Sequence, residues 1–97
     1  LWYRQYAKDD YKGCVFVRIV PIDGERFNLC GSRVREARQL AGISQDELSV
    51  QLQLRGLQVG QMAVSRMETG KRIVPDYELP ILAEALHVTV EWLLGKE

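Results

Sequence analysis

Between Leu48 and Met62 the chain reads LSVQLQLRGLQVGQM, and what the whole chain can fold into hangs on this stretch. Leu48, Val50, Leu52 and Leu54 alternate with polar residues, Arg55-Gly56 interrupts, and Leu57 and Val59 resume the alternation. That is the template of a β-hairpin, with period two on both sides of a two-residue turn. Its surroundings argue for a helix. Arg-Gly makes a poor hairpin turn, because the tight type needs positive φ at both central positions and favours Asn or Asp at the first. Just upstream, Ser44 and Glu47 stand three apart as a capping box, the hydroxyl taking the Glu47 amide and the carboxylate returning to the Ser44 amide. A helix launched there runs directly into Leu48. The expectation is a helix over 45–54, a left-handed stop at Gly56, Leu57 and Val59 packing inward from a long turn, and a new helix from Gln61. On that helix Leu48 and Leu52 share a face with Ile43 just ahead of it, and Val50 and Leu54 share the other.

The flanking segments are also helical. SRVREARQLAG places Val34, Ala37, Leu40 and Ala41 at helical spacing, with Gly42 where a helix stops. VSRMETGKR reads as a helix ending near Thr69-Gly70, with Val64 and Met67 on its core side. Pro75-Asp76 opens another over YELPILAEAL, with Pro80 in the first turn, where its missing amide costs little. Thr89 caps a last short helix, VEWLLG, stopped by Gly95. Trp92, Leu93 and Leu94 belong mostly to the core, with some of this helix left for a dimer patch. Glu78, Glu84 and Glu91 read as a solvated face, and His87 as a helix-end residue.

Residues 1–28 differ in character. Trp2, Tyr3, Tyr6 and Tyr11 are scattered among charges, either as a small satellite cluster or without order. Cys14–Val20, CVFVRIV, is a strand candidate closed by Pro21 and Asp23-Gly24. A lone strand needs a partner, either the Arg26–Leu29 segment or another chain. The fold class expected is all-α, a compact bundle of four to five helices, with a short β or irregular N-terminal extension. The division is 1–28 for the extension, 29–95 for the helical domain and 96–97 for a tail.

Composition narrows the function. A chain of 97 residues supports one small domain. Apolar runs are too short to span a membrane, and no secretion signal is expected. Cys14 and Cys30 form no CxxC pair and His87 is the single histidine, so no metal site or other cofactor is expected. Two reduced thiols in a cytoplasmic protein are the preferred reading, a disulfide the lesser one. No nucleophile stands beside a base and no phosphate loop is present, so the chain does not read as an enzyme. The net charge is zero, yet residues 31–74 are basic on balance and residues 75–97 acidic. That asymmetry suits a face that meets nucleic acid.

SRVREARQLAGISQDEL, VSRMETGKR and LAEALHVTVEWLLG occur in this order, and with these pieces residues 31–95 resemble the helix-turn-helix domain of the Xre/Cro/C1 family, which includes the lambdoid phage repressors. The resemblance implies a recognition helix over 60–68 that reads the major groove of double-stranded DNA. Gln61, Met62, Ser65 and Arg66 map onto its base-contacting positions: Gln suits adenine, Arg suits guanine and Met meets a thymine methyl. Gln45 maps onto a phosphate contact at the start of helix two, and Arg33, Lys71 and Arg72 suit phosphates as well. Arg38 and Glu68 map onto a structural ion pair. A transcriptional repressor binding as a homodimer to a near-palindromic site follows. The alternative is a protein-interaction module on the same fold, such as an antitoxin or a regulator-binding protein. One departure stands out: Leu52 to Val59 holds about five residues more than the family's usual short turn of about three or four residues.

Overall fold

The capping box forms at Ser44: the Ser44 hydroxyl accepts from the Glu47 amide at 3.0 Å, and Glu47 Oε1 accepts from the Ser44 amide at 2.7 Å. The alternating stretch behind it is therefore helical. In the computed structural model, which describes residues 21–96, the elements are α1 (Gly31–Ala41), α2 (Gln45–Leu54), α3 (Gln61–Glu68), a 3-10 turn (Asp76–Glu78), α4 (Leu79–Leu86) and α5 (Val90–Leu93). Among the described residues there is no strand. The strand candidate 14–20, Cys14, the aromatic residues Trp2, Tyr3, Tyr6 and Tyr11, and Glu97 lie outside them. Arg26–Leu29 is no strand edge. It is a bent approach in which the Phe27 amide donates to Gly70 O at 2.7 Å, beyond the end of α3.

Helical periodicity wins over the local alternation because only one of the two sets of apolar side chains finds the core. Leu48 and Leu52 are completely buried, whereas Val50 and Leu54 stay exposed on the outer side of α2. Burial of a leucine side chain stabilises by roughly 1.5–3 kcal/mol, and a hairpin would separate these two from Val34, Val64, Met67, Leu82 and Leu93, which complete the core. Gly56 ends α2 with φ of 92°, a left-handed conformation that a side chain would strain. Leu57 and Val59 then turn inward and are buried.

Two expectations are revised. The helix expected from Asp76 begins as the 3-10 turn, and its α-helical part starts only at Leu79, with Pro80 in the first turn as anticipated. Glu78 does not belong to a solvated face: it is buried, 2% exposed, because Arg72 reaches it from across the loop. Glu84 and Glu91 are exposed. His87 does close α4, in a left-handed conformation with φ of 59°, and Thr89 caps α5 by accepting from the Trp92 amide.

Candidate nucleic-acid interface

The polar centre of the molecule is a chain of side chains running from α1 through α3 and α2 back to the head of α3. Arg38 in α1 holds Glu68, at the end of α3, through Nε–Oε2 at 2.5 Å and Nη2–Oε1 at 3.1 Å. Its Nη1 donates to Ile43 O at 2.9 Å, fixing the α1–α2 turn as well. The Glu68 side chain is only 1% exposed and Arg38 12%. Glu68 Oε1 also accepts from Gln45 Nε2 at 3.0 Å, and Gln45 Oε1 accepts from Gln61 Nε2 at 2.6 Å.

The chemistry of the buried carboxylate orients everything downstream of it. In this pairing Glu68 has only acceptors to offer, so Gln45 must turn its nitrogen inward and its oxygen outward. That oxygen then takes one N–H of Gln61. What remains free on Gln61 is its second N–H and its carbonyl oxygen, the donor–acceptor pair that adenine N7 and N6 require. Gln45 keeps one N–H that is directed to neither neighbour.

Gln61, Met62 and Arg66 are exposed side by side along the outer face of α3, and Ser65 is half-buried between them. Val64, Met67 and Glu68 form the inner face. The N-cap of α3 is Gly60, which makes no side-chain cap, and the first turn carries no acidic residue. The first amides of α3 thus point outward with no side chain competing for them.

The expected phosphate contacts separate. Lys71 is exposed just past α3. Arg33 lies with its guanidinium 4.4 Å from the centre of the Trp92 ring, so its charge is stacked against α5. Arg72 is committed inside the protein: Nη1 and Nη2 grip Glu78 Oε1 and Oε2 at 2.7 and 3.0 Å. The bond to Glu78 raises the Arg72 pKa further above its ordinary value. Arg72 therefore braces the loop through Glu78 with two of its donors. Sequence could not show this, because the partner lies across a loop and reads as a surface glutamate.

The helix-turn-helix family model matches residues 34–93. The chain belongs to that family, in its Xre/Cro/C1 type, a family of DNA-binding transcription regulators. Among solved structures the helix-turn-helix chain is similar to the P22 c2 repressor in complex with a synthetic operator, at 26% identity and a TM-score of 0.60, over 71% of this chain and 97% of that one. It is also similar to the restriction-modification controller protein C.AhdI from Aeromonas hydrophila, at 33% identity and a TM-score of 0.56, over 65% of this chain and 84% of that one. No curated protein matches the chain.

Asn28 is the residue that sequence reasoning missed. Its Oδ1 accepts from the Gly31 amide at 2.8 Å, and its Nδ2 donates to Met67 O at 3.1 Å and Arg72 O at 2.7 Å. One buried amide thus joins the start of α1 to the end of α3. Gly31 permits the approach: a Cβ there would collide with Met67 O and fall 2.9 Å from Asn28 Oδ1. The available signal was an Asn three residues ahead of a glycine at a helix start, a pattern that caps helices but does not name the second helix it serves. Among the described residues, no group of His, Cys, Asp and Glu is arranged to hold a metal ion, and no helix is long and apolar enough to cross a membrane.

Proposed function

We propose that this chain is a cytoplasmic, sequence-specific DNA-binding repressor that lays α3 in the major groove and acts as a homodimer on a near-palindromic site. The observation that carries the reading is Gln61, presented at the head of α3 in an orientation set by Gln45 and Glu68, with Met62 and Arg66 exposed beside it. The P22 c2 repressor, which shares the fold, was solved on a synthetic operator. Gln61 reads adenine, Arg66 reads guanine, Met62 meets a thymine methyl, and the Ser65 hydroxyl can meet a base donor or acceptor. Gln45 and Lys71 hold phosphates, with Arg33 contributing from its stack on Trp92.

Selection of bound duplexes from a random DNA pool, at two salt concentrations, tests this reading. It predicts enrichment of a near-palindrome with half-sites about one helical turn apart, and affinity that falls steeply as salt rises. Retention at low salt without enrichment overturns it. That result would favour the second reading, a module that binds a protein partner, for which the exposed apolar side chains of Leu40, Val50 and Leu54 speak.

A further inference from the structure

The turn between α2 and α3 is six residues long, shorter than the stretch from Leu52 to Val59 that holds the surplus expected from the sequence, because α2 continues to Leu54; its residues are not slack. It runs over Arg55–Gly60, from the end of α2 to the N-cap of α3. A free loop of this length would let α3 begin in many places, and each ordered residue costs roughly 1–2 kcal/mol of backbone entropy. Here the turn is held from both sides. Leu57 and Val59 are buried, and the Leu57 amide donates back to Leu52 O at 3.0 Å. At the near end, Arg55 Nε meets Glu84 Oε1 at 2.9 Å, an exposed pair that contributes little. At the far end, Gln53 reaches from the last turn of α2 and donates from Nε2 to Val59 O at 2.6 Å. That carbonyl lies two residues before the first residue of α3.

We propose that Gln53 is a positioning residue for DNA recognition: its amide, clamped on Val59 O, fixes where α3 starts and hence which bases Gln61 and Arg66 reach. The inference rests on the DNA-binding reading above. Gln53 is exposed and makes no hydrogen bond to Gln45 or Gln61, so its contribution reaches the bases through Val59 and the turn. Side chains that read bases must be held to within about 0.5 Å, and a turn freed at Val59 no longer holds them so.

The test compares wild type with Gln53→Leu, which keeps the shape and helix preference but donates nothing, and Gln53→Glu, which aims a carboxylate at the carbonyl. Affinity is measured for the duplex selected by the wild type and for a scrambled duplex of equal length, beside thermal unfolding and amide exchange of Val59 to Met62. The expected result is a loss of about fivefold in the ratio of specific to scrambled affinity for Gln53→Leu, the worth of one hydrogen bond, and a larger loss for Gln53→Glu. Scrambled-duplex affinity should stay within about twofold for Gln53→Leu, and exchange at the turn should quicken. An unchanged ratio in both variants, with the wild type binding its site, overturns the positioning role and leaves the DNA reading intact. A wild type that prefers no duplex overturns both. A ratio that falls only in step with thermal stability makes Gln53 a structural residue and also overturns the proposal.

Discussion

α2 and α3 start in opposite ways. α2 opens on a complete capping box and carries Asp46 and Glu47 in its first turn, so side chains of the protein itself satisfy its amides and its positive pole. α3 opens on Gly60, with no side-chain cap and no acidic residue in its first turn. One start is closed by the protein's own side chains and the other is left without a side-chain cap. The core holds α3 by its far end, where Glu68 is buried under Arg38, while its near end is presented outward.

The strongest way to break this contrast is to cut the buried anchor. Arg38→Met leaves Glu68 buried without its cation and should lower unfolding stability by about 3 kcal/mol, read as a shift of the urea midpoint. Next is the open face. Arg66→Ala should weaken binding to the selected duplex by about 2 kcal/mol, roughly thirtyfold, while leaving the urea midpoint unchanged. Equal loss on scrambled DNA would make Arg66 a phosphate contact rather than a base reader. Exchanging the two starts sharpens the comparison further. Ser44→Ala should cost about 1 kcal/mol of stability and leave the sequence preference untouched. Gly60→Asp should do the reverse, adding roughly 0.3 kcal/mol while repelling phosphate and weakening all DNA. The site tolerates the new side chain, since a Cβ at Gly60 meets nothing within 4 Å. An effect confined to high pH belongs to Cys30, whose burial pushes its thiol up to about 11 from an ordinary 9.0. The native state then holds its proton where the unfolded chain has lost it. Stability should therefore be unaffected below pH 9 and decline between pH 9 and 11, a slope that Cys30→Ala should remove.

What the sequence revealed depended on how local each signal was. The capping box, the Gly56 stop, the start at Gln61 and the Thr89 cap are written within a few neighbouring residues, and each element appears where those residues put it. Val64 and Met67 follow from periodicity and are fully buried. Two features depend on residues far apart in the chain, and one on a pair separated by a short loop. Glu78 reads as surface because nothing near it announces Arg72 as a bidentate partner. Arg33 reads as a free cation because Trp92 comes to it only in the folded bundle. Asn28 was passed over because its two acceptors lie some forty positions on, at |i−j| of 39 and 44. The face of Gln61, Met62, Ser65 and Arg66 was legible through family position; the hydrogen bonds that orient Gln61 were not.

The Asn28 junction has a mechanical consequence. Residue 28 is fastened directly to the Met67 carbonyl near the end of α3 and to Arg72 just beyond, and Phe27 is fastened to Gly70. Whatever hangs on the N-terminal side of Phe27 is therefore in series with the rear of the reading helix. A pull from that side reaches the tail of α3 through the buried Asn28–Met67 contact. The attachment sits next to Glu68 in the chain, at the opposite end of α3 from Gln61.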